Sequence, residues 1–462
     1  MPKDARNCHE PVLTTRRAFL AGTALCLSGT AAGATVDVAD LRGSIDSADL
    51  GLLPNATNDQ TAQFQNAVNR AVERGRALFL PAGTYPVANL RLPSGTLIVG
   101  VPGRTRLVYQ GGGGQLIRAE GVSNIGLTGI TFDGANRSIG DFTDGLLHFI
   151  GVRNLAIDEC EVAGSTKSGL LLDRCSGRIE NSRISGAAEA GVRSNEATGL
   201  SIIGNTVTDC ANGGIWIHRW QDGEDGTIVS GNRVERISAR YGGTGQFGNG
   251  INVFRAAGVV VSNNRVADCA FSAIRSNAGS NIQIIGNSCL RSGETAIYSE
   301  FGFQGAVIAN NIADGGTIGI SIANFADDGR LAICSGNLIR NIKDTGPYPP
   351  EVAGFGIGIA AEADTTVMGN VIENVPKFGL MLGWGPYLRN VIASQNVLRN
   401  CATGIAVSVA DGAGPAIITS NIVQGAKQGS INGFRWLERA TGELNGTSEF
   451  SNLTVHGNQI WS

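Results

Sequence analysis

Four side chains stand out for the chemistry their types allow: His218, Tyr298, Arg193 and Arg275. A histidine or tyrosine can take or return a proton, and an arginine can neutralise a carboxylate or the enolate formed beside one. Together they suit removal of a proton next to a carboxyl group, as a lyase or an epimerase requires. His218 is one of three histidines that remain once residues 1–34 are set aside. In the same stretch lie Trp216, Asn195, Asn252, Phe254, Asn277 and Glu300, with Arg-Ser-Asn occurring twice, at 193–195 and 275–277. Rings of this kind stack on sugars and arginines pair with carboxylates, so these six are candidate binding residues. All ten are spread over residues 193–300, and an architecture must gather them.

That architecture is written in an internal repeat. Asn recurs between two short apolar segments at 181, 205, 232, 264, 287, 311, 337, 370, 396 and 421, with spacings of 24, 27, 32, 23, 24, 26, 33, 26 and 25 residues. Eight to ten residues after most of them comes a small residue followed by an apolar one, such as Gly191-Val192, Gly214-Ile215, Ala273-Ile274 and Ala296-Ile297. Twice the gap swells to 18 or 19 residues, ending at Gly250-Ile251 and Gly356-Ile357, which reads as insertion at one loop position. Segments of three to five residues that alternate apolar and polar read as half-buried strands. Strands so short cannot bury a face alone and must stack coil on coil. The recurrent Asn is expected at the turn between strands, in a left-handed backbone conformation, with side chains hydrogen-bonded from coil to coil. These Asn are structural. The helix-bearing period and Leu pattern of a leucine-rich repeat are missing.

The N-terminal region supports this reading. Residues 61–74 place Phe64, Ala67, Val68, Ala71 and Val72 on one helical face, with Asn58 or Asp59 as cap and Gly75 as stop. Asp59, Thr61, Gln65 and Ala67, followed by Leu80-Pro81-Ala82-Gly83-Thr84-Tyr85, resemble the opening of pectate-lyase-like proteins, in which the helix plugs the first coil. With the repeats, the resemblance covers roughly residues 38–425, and it is nearest to twin-arginine-exported β-helix repeat proteins of unassigned activity. It implies an all-β chain: a right-handed parallel β-helix of about a dozen coils with a short N-terminal capping helix. Residues 1–34 are expected to be a signal peptide, 35–110 the cap and first coils, and 111–462 the remaining coils with a C-terminal cap.

The resemblance also implies that the strand after the long variable loop faces a polysaccharide with its outer side. Alternation then decides what points out. With Ile215 and Ile217 inside, Trp216 and His218 face outward, and the same register exposes Arg193, Asn195, Asn252, Phe254, Arg275, Asn277, Tyr298 and Glu300, with Leu171, Asp173 and His148 before them. Beyond Ser321 the strip turns bland, with Ala323, Gly358, Ala360 and Ala406. An elongated groove for an acidic, uronate-containing polysaccharide follows, with His218 or Tyr298 as base or acid and Arg193 or Arg275 as neutraliser. The alternatives are a solvated face with scattered aromatics, and a non-catalytic carbohydrate-binding or cell-envelope repeat protein. A glycoside hydrolase fits less well. Asp173 and Glu300 lie five coils apart, about 24 Å at ~4.8 Å per coil, whereas a hydrolytic pair needs roughly 5–9.5 Å. Asp222, Glu224 and Asp225 read as a solvated acidic turn, and the Asn-Thr-Asp and Gly-His-Gly motifs of polygalacturonases and the Asp-Pro-His of alginate epimerases are absent.

The first residues read as an address. Thr15-Arg16-Arg17-Ala18-Phe19-Leu20 resembles the twin-arginine export motif, departing from it at Ala21, and is followed by a short apolar run and a small-residue cleavage site at 32–34. The motif implies delivery to the periplasm or beyond, with the twin-arginine translocase as partner during export and no membrane span in the mature chain. The net charge of -3 becomes -5 without residues 1–34, which argues against nucleic acid as a partner. Nine cysteines fall to seven, an odd number, and Cys210, Cys269 and Cys401 recur five residues after a repeat Asn as small core residues. No metal ligand set is evident and no cofactor is expected, with calcium left open.

Overall fold

The computed structural model describes residues 43–461 apart from 244, 324–328 and 350–353. The chain divides into residues Met1–Ser44 and Ile45–Ser462. Arg16, Arg17 and the rest of the expected signal peptide lie outside the described residues. The second unit is a parallel solenoid. One face is a sixteen-stranded sheet running from Ile45–Asp46 to Leu453–His456. The coils before Asn181 lack the Asn mark of the repeat. The other two faces are built from the three-residue strand after each ladder Asn and from the strand that carries the small-apolar pair. Among the described residues the one antiparallel pairing is the C-terminal hairpin of Gly429–Arg435 with Glu438–Glu443.

Inside, like sits on like. Val192, Ile215, Ile251, Ile274, Ile297, Ile320 and Ile359 pair coil to coil in register, and all are fully buried. Branched side chains at one spacing interlock along the stack, which no single coil could achieve. The helix Thr61–Glu73 adds Phe64, Ala67, Val68 and Ala71 to the same core and covers its N-terminal end. The N-cap is Gln60 and not Asn58 or Asp59, because the helix starts one residue later than that cap requires; the Asp59 carboxylate still accepts from the Thr61 amide at 2.9 Å, and Gly75 at φ 63 follows the C-cap Arg74.

The asparagine ladder is continuous from Asn205 to Asn458. Each Asn donates its backbone N–H and its Nδ2 to the Oδ1 of the next; for Asn287 to Asn311 these distances are 2.9 and 3.0 Å. Nδ2 also reaches a carbonyl of an earlier coil, Val261 for Asn287 at 2.9 Å. The structure corrects the ladder in two places. The left-handed residue is the one before each Asn (Gly204, Gly231, Asn263, Gly286), because the Asn itself must turn its amide inward along the stack. Asn181 holds that preceding position, at φ 50, and Ser182 takes the rung, with its N–H on Asn205 Oδ1 at 2.9 Å. The seven cysteines of the described residues are free and buried, and desolvation pushes the Cys210 and Cys269 thiols up to about 12. They are inert filling.

Candidate functional site

Strand pairing places the candidate residues in two rows on one outer face. Arg193, Trp216, Asn252, Arg275 and Tyr298 follow one another from coil to coil, and Asn195, His218, Phe254, Asn277 and Glu300 run two residues beside them. The expected register is therefore present. The expected solvent exposure is not. Asn195, Trp216, Asn252, Arg275 and Glu300 are all buried, with Asn252 and Glu300 each 2% exposed. Outward from the coil is not outward to water here, because the insertions fold back over the face.

The 236–249 insertion is the nearer cover. Phe247 lies 6.2 Å from the Trp216 ring and 5.9 Å from Tyr241, centroid to centroid. Tyr241 is held through its backbone N–H on Asn212 Oδ1 at 2.8 Å. What remains open is a cleft of about 420 Å³ lined by Arg193, Trp216, His218, Asn252, Phe254 and Asn277 from the strands. Glu189, Arg219, Trp220, Tyr241, Gly245, Gln246 and Phe247 complete it. These last seven were not singled out in the sequence. For the four on 236–249 the length of the insertion was the available signal, but a loop's length does not say where it returns.

At the centre of the cleft His218 is stacked on Trp216, centroids 5.3 Å apart and planes 11° from parallel, with Phe254 edge-on at 5.9 Å. Its Nε2 lies 3.1 Å from Asn252 Oδ1. The Asn252 amide nitrogen donates to Gly245 O at 3.3 Å, which turns Oδ1 toward the ring. Nε2 therefore carries the proton, and Nδ1 keeps its lone pair. Burial lowers the imidazole pKa to about 4; the Asn252 hydrogen bond opposes this and Arg193 adds repulsion. The ring is a neutral base at any pH near neutrality. Gly213 makes room for this stack, since a Cβ there would come within 2.0 Å of Trp216 Nε1.

The Arg193 guanidinium is loosely held. Its Nη1 is 3.5 Å from Asp144 and 3.8 Å from Glu189, and its Nε has no hydrogen-bond partner. Arg219 is fixed by Glu196 at 2.7 Å. Arg275 and Tyr298 do not line the cleft, and their expected roles meet a different setting. Arg275 Nε donates to Glu300 Oε1 at 2.7 Å, Nη1 is 3.8 Å from Glu294, and the guanidinium sits 4.9 Å over the Tyr298 ring. A guanidinium already neutralised by buried carboxylates is not free to meet a substrate carboxylate. Desolvation, reinforced by Glu300, holds the Tyr298 phenol well above its ordinary range, which disfavours it as a base. Asn195 and Glu300 likewise serve neighbours: Asn195 Nδ2 donates to Asp173 at 2.7 Å, and Glu300 accepts from Asn277 at 2.9 Å. Asp225, read as part of a solvated turn, is buried against Thr227.

Among the described residues no group of three or more His, Cys, Asp or Glu is arranged to hold a metal ion, and no helix is long and apolar enough to cross a membrane. Two solved structures of bacteriophage phi29 gene product 12 share the fold. The pre-mature form has a TM-score of 0.55 at 17% identity, covering 96% of this chain and 59% of its own. The N-terminal fragment has a TM-score of 0.54 at 17% identity, covering 96% and 74%. The catalytic unit of a GH87 α-1,3-glucanase from Streptomyces thermodiastaticus strain HF3-3 follows at 0.45 and 15%, covering 94% and 71%. This chain thus spans less than two thirds of the first of these proteins, and the likeness is one of fold. No curated protein matches it. A family model described as the right handed beta helix region matches residues 105–234 and 220–389, more than half of the chain. With the parallel coils and their asparagine ladder, that match makes the chain a member of the right-handed β-helix family.

Proposed function

We propose that this protein is exported by the twin-arginine route and acts on an acidic, uronate-containing polysaccharide by lyase or C5-epimerase chemistry. The observation that carries the reading is the His218 imidazole, neutral and with Nδ1 unprotonated, set between aromatic walls beside the loosely held Arg193. The rings offer faces for sugars. Arg193 offers a cation for the carboxylate whose neighbouring proton must leave. In elimination, His218 takes the C5 proton, the C5 electron pair forms the C4–C5 double bond, and the C4–oxygen bond breaks. Tyr241, which is exposed and lines the cleft, gives the leaving oxygen its proton in this reading. In epimerisation the C4–oxygen bond stays intact, a proton from the Tyr241 hydroxyl returns to the opposite face of C5, and His218 gives up the proton it took to solvent, from which Tyr241 is reprotonated.

A second reading, carbohydrate binding without turnover, is favoured by one observation. Arg275 and Tyr298, half of the expected acid–base set, lie outside the cleft. Incubating the mature protein with uronate polymers separates the readings. New absorbance from C4–C5 double bonds, or proton exchange at C5, identifies the enzyme. Calorimetric binding without either identifies the binding protein, and neither result on any polymer sinks both. Export is tested apart: replacing Arg16 and Arg17 by Lys should hold the precursor in the cytoplasm, and normal export of that variant would refute the route.

A further inference from the structure

The rows of outward residues run over many coils, yet the open cleft is short. From Arg193 to Asn277 it covers three steps between neighbouring strands, about 14 Å at ~4.8 Å each. Its volume of about 420 Å³ sits low in the range of roughly 300–1,000 Å³ that encloses a drug-sized molecule. Both ends are walled. At the C-terminal end Arg275 is buried in its pairing with Glu300, and Glu294 beside it accepts from the Tyr348 hydroxyl. Tyr348 belongs to the second insertion, and its ring lies 6.2 Å from Phe271, which is itself buried. At the other end the row continues into Leu171, 4% exposed. There Lys167 Nζ ties down the neighbouring loop, donating to Thr143 O at 2.6 Å and Gly140 O at 3.1 Å. Asp144 of that loop faces Arg193 at 3.5 Å.

Resting on the proposed carbohydrate reading, we infer that the cleft takes the end of an acidic chain, roughly two or three sugar units, and not its middle. A chain passing through would have to displace the buried Arg275–Glu300–Glu294 cluster at one end, leaving uncompensated charge there, and at the other the loop that Lys167 holds over the row at Leu171. An end has no such requirement. The same chemistry is offered by a free short oligouronate and by the terminus of a polymer, so the site selects by length and not by source.

The test is calorimetric titration of the mature protein with oligogalacturonates and oligomannuronates of two to six units. The parent polymers are titrated too, with native ends and with both ends blocked by bulky groups. Affinity should rise to the trimer and then change by less than about twofold per added unit. Native polymer should bind in proportion to its ends, and blocked polymer should not bind. Affinity that keeps climbing to the hexamer, or blocked polymer binding like native, would overturn the inference while leaving the polysaccharide reading intact. Failure of every oligomer and polymer to bind removes that reading, and this inference with it.

Discussion

Acidification should destabilise this protein through His218 in particular. The imidazole titrates at 6.5 in an unperturbed setting and at about 4 in the folded chain, chiefly because burial penalises its charged form. Between those values the unfolded chain binds a proton that the folded chain refuses, so stability rises with pH there. The contribution is complete above pH 6.5 and is lost as pH falls toward 4. Across that interval the loss is about 3 kcal/mol, at ~1.4 kcal/mol per pH unit. Urea unfolding at several pH values between 7.5 and 4, for wild type and His218→Gln, isolates the effect, since other groups titrate alike in both. The wild type should lose about 3 kcal/mol more than the variant over this range. If the protein is an enzyme, the acid limb of kcat/KM should lie near the same low value, because the base is the same ring. Parallel stability curves for the two proteins, or an acid limb at 6.5, would show that the ring is not sequestered as the geometry requires.

Two further outcomes test the scaffold. Arg275→Ala removes the buried partner of Glu300 and Glu294, and should destabilise by about 3–5 kcal/mol in denaturant unfolding; a change below ~0.5 kcal/mol, as at a solvated surface site, would mean the cluster is not formed. Asn287→Ala strips the acceptor from two buried donors of Asn264, at about 1–3 kcal/mol each. Its unfolding midpoint should fall accordingly, and an unchanged midpoint would refute a continuous ladder.

How far the fold was legible follows from how local its signals are. The spacing of Asn205, Asn232, Asn264 and their successors is a property of the chain alone, because every coil repeats the same turn. Ser182 and Asn458 escaped notice for the same reason: one rung has a different residue type, and the other follows a C-terminal hairpin that breaks the spacing. Alternation around Ile215 and Ile217 told which side chains leave the core, since a strand has a period of two whatever surrounds it. Six of the ten site candidates accordingly share one cleft.

What alternation could not tell is what lies above the face. Trp216 and Asn252 point away from the coil and are nonetheless buried, because 236–249 returns across them. Arg275 looked like a cation awaiting a ligand, but its partner Glu300 comes from the next coil, 25 residues on. Glu294 reaches Tyr348 across 54 residues. The repeat thus dictates backbone register through contacts each coil makes with its neighbour. The fate of the groups on its surface depends on two insertions outside the repeat, whose return path is set by packing between residues far apart in the chain. Strand periodicity is local and fixes where the candidate groups stand; long-range packing fixes which of them line the open cleft and which neutralise one another.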